Sequence, residues 1–132
     1  MDFKYPKSEK LKSKKTIDSL FSKGKSVSKF PLRLVFVESD FGLDVSKNQK
    51  LKIGVSVSKK NFKRAVDRNY FKRLLREAYR LNKHILTDNI EKPMAMMLFY
   101  QTKERLSFQE INEKTIQLFE KFLEQTKTII ND

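Results

Sequence analysis

Ten lysines and arginines but only two acids lie between Lys59 and Lys83, and those from Arg68 to Arg80 recur at the spacing of one side of a helix. The stretch from Arg64 to Lys83 reads RAVDRNYFKRLLREAYRLNK. At about 100° per residue, Phe71, Leu74, Leu75, Ala78 and Leu81 fall on one face, and Arg68, Asn69, Lys72, Arg73, Arg76 and Arg80 on the other. Lys59, Lys60, Lys63 and Arg64 extend the cationic run into the preceding loop. Exposed helix faces normally mix signs, and here only Asp67 and Glu77 interrupt the cations. A stripe of cations fixed on a rigid rod can match the spacing of phosphates, so the chemistry implied is binding of a structured polyanion.

Side chains for bond-making chemistry are sparse. His84 is the only histidine and has no triad partner or ligand set near it in the sequence, which makes a surface or capping role the expectation. Asp40 and Asp44 share a long polar connection, without the fixed geometry a metal requires. The absence of cysteine excludes disulfides, thiolate metal sites and thiol nucleophiles. No glycine-rich phosphate loop, zinc spacing or nucleophile elbow occurs. The residues therefore assign no catalytic side chain and no protein-bound metal.

The elements that must position the stripe follow from patterning. With 132 residues, 39% of them hydrophobic and eleven of them Phe, the chain is long and apolar enough for a single domain with one core. Residues 1–10 read as a flexible basic arm. A first helix is expected over about Lys14–Lys23, with Ile17, Leu20 and Phe21 on one side and Gly24 as terminator. Ser26–Ser28 reads as a short strand. Leu32–Val37 reads as a second, with Leu32, Leu34 and Phe36 on one face and Arg33, Val35 and Val37 on the other. After the polar connection 38–50, Leu51–Ser58 alternates cleanly, with Lys52, Gly54, Ser56 and Ser58 outward. Asn61 is the expected cap of the striped helix. Met94–Tyr100 is nearly all apolar, as expected of a strand buried on both faces, with its methionines filling the core. Ser107-Phe108-Gln109-Glu110 is a capping-box pattern that opens a last helix carrying Phe108, Ile111, Leu118, Phe119 and Phe122. The order specifies an α+β sandwich.

Charge is unevenly distributed. Residues 1–30 hold nine Lys against three acids, and residues 84–132 hold six cations against eight acids, within a net charge of +13. Such asymmetry marks nucleic-acid or anionic-membrane partners. The core-like apolar face and flanking strands of the striped helix favour nucleic acid. No segment approaches the ~18 apolar residues of a membrane span, and the N-terminus lacks the apolar run of a signal peptide. A cytoplasmic location is the expectation.

Several blocks together are specific. SVSKK (56–60), AV-x-RN (65–69) and KRLLREAYR (72–80) resemble the signature of the bacterial ribonuclease P protein family. LKSKKTIDSLFSKGKSV (11–27) is similar to that family's first helix and turn, and LSFQE (106–110) to the start of its last helix. The resemblance implies an α-β-β-β-α-β-α order, a four-stranded sheet and a left-handed crossover around the striped helix. It also implies a protein that binds the catalytic RNA and the 5′ leader of precursor tRNA. The protein would promote Mg²⁺-dependent cleavage as a monomer in a 1:1 complex, with no membrane partner. Mg²⁺ would be held mainly by the RNA, and the protein would supply no catalytic side chain.

The family's helix motif maps onto Arg68, Asn69, Lys72, Arg73 and Arg76, with Lys59 and Lys60 in the loop before it. Tyr70 stands where the family usually has Arg. Its leader cleft maps onto Ile17, Phe21, Arg33 and Val35, and Ile17 and Val35 stand where aromatics are frequent. A ribosomal-type RNA-binding protein would explain the charge but not the ordered blocks. A sequence-specific DNA binder would need a helix-turn-helix, and a protein-only nuclease would need a carboxylate cluster.

Overall fold

The strand-forming and helix-forming patterns assemble in the expected order. The computed structural model describes residues 5, 10–11, 14–38 and 51–130. The elements are α1 (Lys14–Lys23), β1 (Lys25–Lys29), β2 (Leu32–Glu38), β3 (Leu51–Val57), α2 (Ala65–Thr87), β4 (Met94–Tyr100) and α3 (Phe108–Ile130). Asp40, Asp44 and most of the 38–50 connection lie outside the described residues, as does most of the N-terminal arm.

The four strands form one mixed sheet in the order β1-β2-β4-β3. Neighbours β1–β2 and β2–β4 are antiparallel. β3 and β4 are parallel, and α2 is the crossover between them. Period-two alternation then sends one set of side chains to each face. Leu32, Leu34, Phe36, Ile53, Val57, Met96, Leu98 and Tyr100 meet α2 and α3 in the main core. Val35, Ala95 and Met97 meet Leu11 and Leu20 on the opposite face, where α1 packs. β4 is sandwiched between the two layers, which explains its near-continuous apolar run.

Gly24 lets α1 end directly on this second face. A Cβ there would lie 2.3 Å from the Leu20 carbonyl oxygen and 2.9 Å from a Val35 methyl. Gly24→Ala is expected to destabilise the fold by about 1–3 kcal/mol, as overpacking does, and a thermal melt measures it.

α3 opens as its sequence specifies. The Glu110 N–H donates to Ser107 Oγ at 3.2 Å, and the two side chains are hydrogen-bonded at 3.1 Å. α3 packs on α2 through Asn82, whose Nδ2 donates to Asn112 Oδ1 at 2.7 Å and to the Ala78 carbonyl at 2.8 Å. It also crosses the edge strand. Lys121 Nζ donates to the Ser28 carbonyl at 2.8 Å, occupying an acceptor otherwise open to strand addition.

The face that α2 buries differs from the sequence expectation. Phe71, Leu75 and Ala78 are fully buried, but so is Tyr79, with Asn82, Lys83 and Leu86 behind it, while Leu74 and Leu81 are only half-buried. The buried sector is rotated by roughly a sixth of a turn. Part of the cause is α3, which meets Asn82 through Asn112, and part is the N-terminal segment. The Tyr5 ring meets the Tyr79 ring edge-on at 5.0 Å, and the Tyr5 hydroxyl donates to the Ile53 carbonyl. Lys10 pairs with Ile53 as an isolated parallel bridge, and the Leu11 N–H donates to the Ile53 carbonyl at 3.1 Å. Tyr5, Lys10 and Leu11 are thus held against Ile53 of β3, and Tyr5 also against Tyr79 in the second half of α2.

Candidate nucleic-acid interface

Two surfaces are joined by the loop that runs from β3 to α2. The first is the exposed side of α2. Asn69, Arg73 and Arg76 are exposed there and Lys72 is half-buried, so these four sequence-identified residues share one accessible sector. The loop before α2 adds Lys59, Lys60, Lys63 and Arg64, all exposed.

That loop is not capped by Asn61, contrary to the sequence expectation. The N–H groups of Asn61 and Phe62 both donate to the Ser58 carbonyl, at 3.2 and 3.0 Å. This turn drives Phe62 into the core, stacked on Phe71 with centroids 4.7 Å apart. The helix starts only at Ala65, after an extended Arg64 with no side-chain cap. The free carbonyls of the turn are taken by Arg68 instead. Its Nη1 donates to Phe62 O at 2.9 Å and to Lys63 O at 2.7 Å. Arg68, expected as a direct contact, therefore positions the basic loop against the stripe.

Arg80 also differs from a free cation. Its Nε donates to Glu77 Oε2 at 3.3 Å, and a second guanidinium nitrogen pairs with Oε1. The Arg80 hydrogen bond holds the Glu77 carboxyl below its ordinary range, so the pair stays ionised at neutral pH and this end of the stripe is partly neutralised.

The second surface is the outer sheet face beside α1. The strand registers align Ser28 with Arg33, Arg33 with Phe99, and Phe99 with Ser56. These four form one row across the sheet. The neighbouring row, Ser26, Val35, Met97 and Gly54, lies under α1. Val35 is buried there with Leu11, Leu20 and Met97, so it supports α1 and is not an open cleft residue. Ile17 is half-buried against the same cluster. Phe21 is 65% exposed and overhangs the open row, its ring 6.1 Å from Phe99 in an edge-on contact. Phe99 is the residue sequence reasoning missed. It was hidden within an apolar run, and only its outward alternation, opposite Tyr100 and Leu98, could have singled it out. The open row therefore carries two aromatic rings, one guanidinium and two hydroxyls, and β3 leads from it through Ser58 to Lys59 and Lys60.

The family profile described as Ribonuclease P matches residues 5–123. The chain belongs to the ribonuclease P protein family. It is 33% identical over 120 residues to the ribonuclease P protein component of Dictyoglomus turgidum, covering 89% of this chain and 91% of that one. It is 44% identical over 90 residues to that of Porphyromonas gingivalis, covering 67% of this chain and 62% of the relative's length. The fold is similar to the ribonuclease P protein from Thermotoga maritima, with a TM-score of 0.65 at 27% identity over 84% of this chain and 94% of that one. A ribonuclease P protein from Staphylococcus aureus shares the fold at a TM-score of 0.66 and 19% identity, over 85% and 93% of the two chains. The α+β order expected from the ribonuclease P resemblance is thus the observed one.

Among the described residues of this ribonuclease P family member, no group of three or more His, Cys, Asp or Glu side chains gathers as a metal site. No helix among them is long and apolar enough to cross a membrane.

Proposed function

We propose that this chain is the protein subunit of ribonuclease P, acting by electrostatics and position. Asn69, Lys72, Arg73 and Arg76, with the Lys59–Arg64 loop held by Arg68, dock on the folded catalytic RNA. The open row of Arg33, Phe99 and Ser56, overhung by Phe21, takes the single-stranded 5′ leader of precursor tRNA. The observation that carries this reading is that the exposed basic loop Lys59–Arg64 runs from the end of β3 to the start of α2. It links a rigid cationic stripe of the kind that matches a phosphate backbone to an aromatic and cationic strip of the kind that takes unpaired nucleotides.

In this reading the protein supplies no catalytic side chain. Cleavage of the precursor belongs to the RNA subunit, and the cleft holds the leader so that the scissile phosphate is presented in a fixed orientation. Mg²⁺ would be bound mainly by phosphate oxygens, the hard ligands that suit it. Cations placed nearby lower the local repulsion that opposes bringing two RNA molecules together. The assembly is one protein with one RNA, in the cytoplasm.

A ribosomal-type role is the reading to separate from this one. The protein, offered equal amounts of ribonuclease P RNA and a ribosomal RNA fragment of similar length at 0.15 M salt, is expected to select the former by tenfold or more. Equal partition would count against the proposal.

A further inference from the structure

One exposed aromatic–cation cluster extends from the edge of the stripe onto a second element. Tyr70 is 41% exposed on α2. The Arg73 guanidinium carbon lies over its ring at 5.6 Å from the centroid, and that of Arg105 at 5.9 Å. Arg73 comes from the same helix. Arg105 comes from the connection between β4 and α3, far away in sequence.

Arg105 is held in place from several directions. Its Nη1 donates to Asp67 Oδ1 at 3.1 Å, and its guanidinium lies 5.2 Å from the Phe71 centroid. The Tyr70 and Phe71 rings stand at 83° to one another, so the guanidinium sits in the corner between two aromatic walls. The backbone is pinned on both sides of it by the Tyr100 hydroxyl, which donates to the Glu104 carbonyl and accepts from the Leu106 N–H at 3.1 Å. Burial raises the Tyr100 pKa above its ordinary value, so that hydroxyl keeps its proton. The Arg105 side chain is nevertheless 57% exposed.

Two guanidinium groups drawn to one ring would repel each other if nothing lay between or against them. The negative face of an aromatic ring offsets that repulsion. A stacked guanidinium also keeps its N–H edge available, and its planar fork matches a phosphate better than an ammonium does. Asp67 occupies one nitrogen of Arg105 and orients the rest.

We propose that Tyr70, Arg73 and Arg105 form a phosphate clamp that takes one backbone phosphate of the bound RNA. Arg73 and Arg105 are its contacts, supplied by two separate elements, and Tyr70 is a positioning residue that holds them together. This proposal rests on the reading of RNA as the partner of α2. It assigns a binding role to Arg105, which lies off the stripe and carried no such role in the sequence.

The test is the affinity for ribonuclease P RNA across a salt series from 0.05 to 0.3 M, with the full chain and its variants. Arg105→Ala is expected to weaken binding about fivefold to tenfold at 0.1 M salt, and to reduce the slope of log K against log salt by about 1. Arg105→Lys keeps the slope but loses part of the affinity, because an ammonium lacks the planar fork. Tyr70→Leu keeps the bulk but removes the ring face, and is expected to weaken binding about threefold to tenfold at matched folded fraction. An unchanged slope and affinity for Arg105→Ala, while Arg76→Ala lowers both, would overturn the clamp and leave the RNA reading intact. Failure of the unaltered protein to bind that RNA would overturn both.

Discussion

Replacing Lys72, Arg73 and Arg76 together by alanine is expected to lower affinity for ribonuclease P RNA by about a hundredfold or more at 0.1 M salt. Each side chain is exposed or half-buried on the same sector of α2, and each phosphate neutralised releases condensed counterions, contributing roughly one unit to the salt slope. The slope is therefore expected to fall by about 2–3, so the variant and the parent converge as salt rises. Thermal stability should change little, because the apolar contacts of α2 come from Phe71, Leu75, Ala78, Tyr79 and Leu86 on the other side. A loss of affinity independent of salt would contradict the phosphate account. Arg68→Ala would be a poorer probe, since Arg68 holds the Phe62 and Lys63 carbonyls and its removal disturbs the loop as well as the charge.

The second large effect belongs to the cleft. Phe21→Ala combined with Phe99→Ala should erase most of the preference for precursor over mature tRNA while leaving affinity for the RNA subunit nearly unchanged. Base–aromatic stacking is worth about 1–3 kcal/mol per base, so loss of one stacked nucleotide reduces the preference roughly 5- to 150-fold. Phe21 alone should show the larger share, because it is 65% exposed whereas Phe99 is half-buried. The comparison is made by titrating holoenzyme with precursor and mature tRNA. A preference that survives in the double variant would remove this row of the sheet from leader binding.

The sequence carried the frame of this account unevenly, and the reasons are physical. Periodicities of 2 and 3.6 were enough for the strands and helices, because each element has one face in a core and the pattern records it. They were not enough for the sector of α2 that is buried. That sector is set partly by Tyr5, whose ring reaches Tyr79 from 74 positions away, and no local pattern reports such a contact. The Asn61 cap failed for a related reason. Its side chain suits a helix start, but Phe62 next to it is worth more in the core, and the helix begins only after that ring is placed. Among the cations, charge alone did not distinguish Arg76, which is exposed, from Arg68 and Arg80, which are engaged by carbonyls and by Glu77. Phe99 and Val35 changed places in the same way. Strand register opened one row of the outer face and left the next beneath α1.

The role as a ribonuclease P subunit is tested by multiple-turnover cleavage of a precursor tRNA by a bacterial ribonuclease P RNA at limiting Mg²⁺, with and without this protein. The expected result is a tenfold or greater stimulation that shrinks as Mg²⁺ is raised, and that is abolished at 0.1 M salt by the Lys72, Arg73 and Arg76 substitutions. Equal cleavage rates with and without the unaltered protein would contradict it.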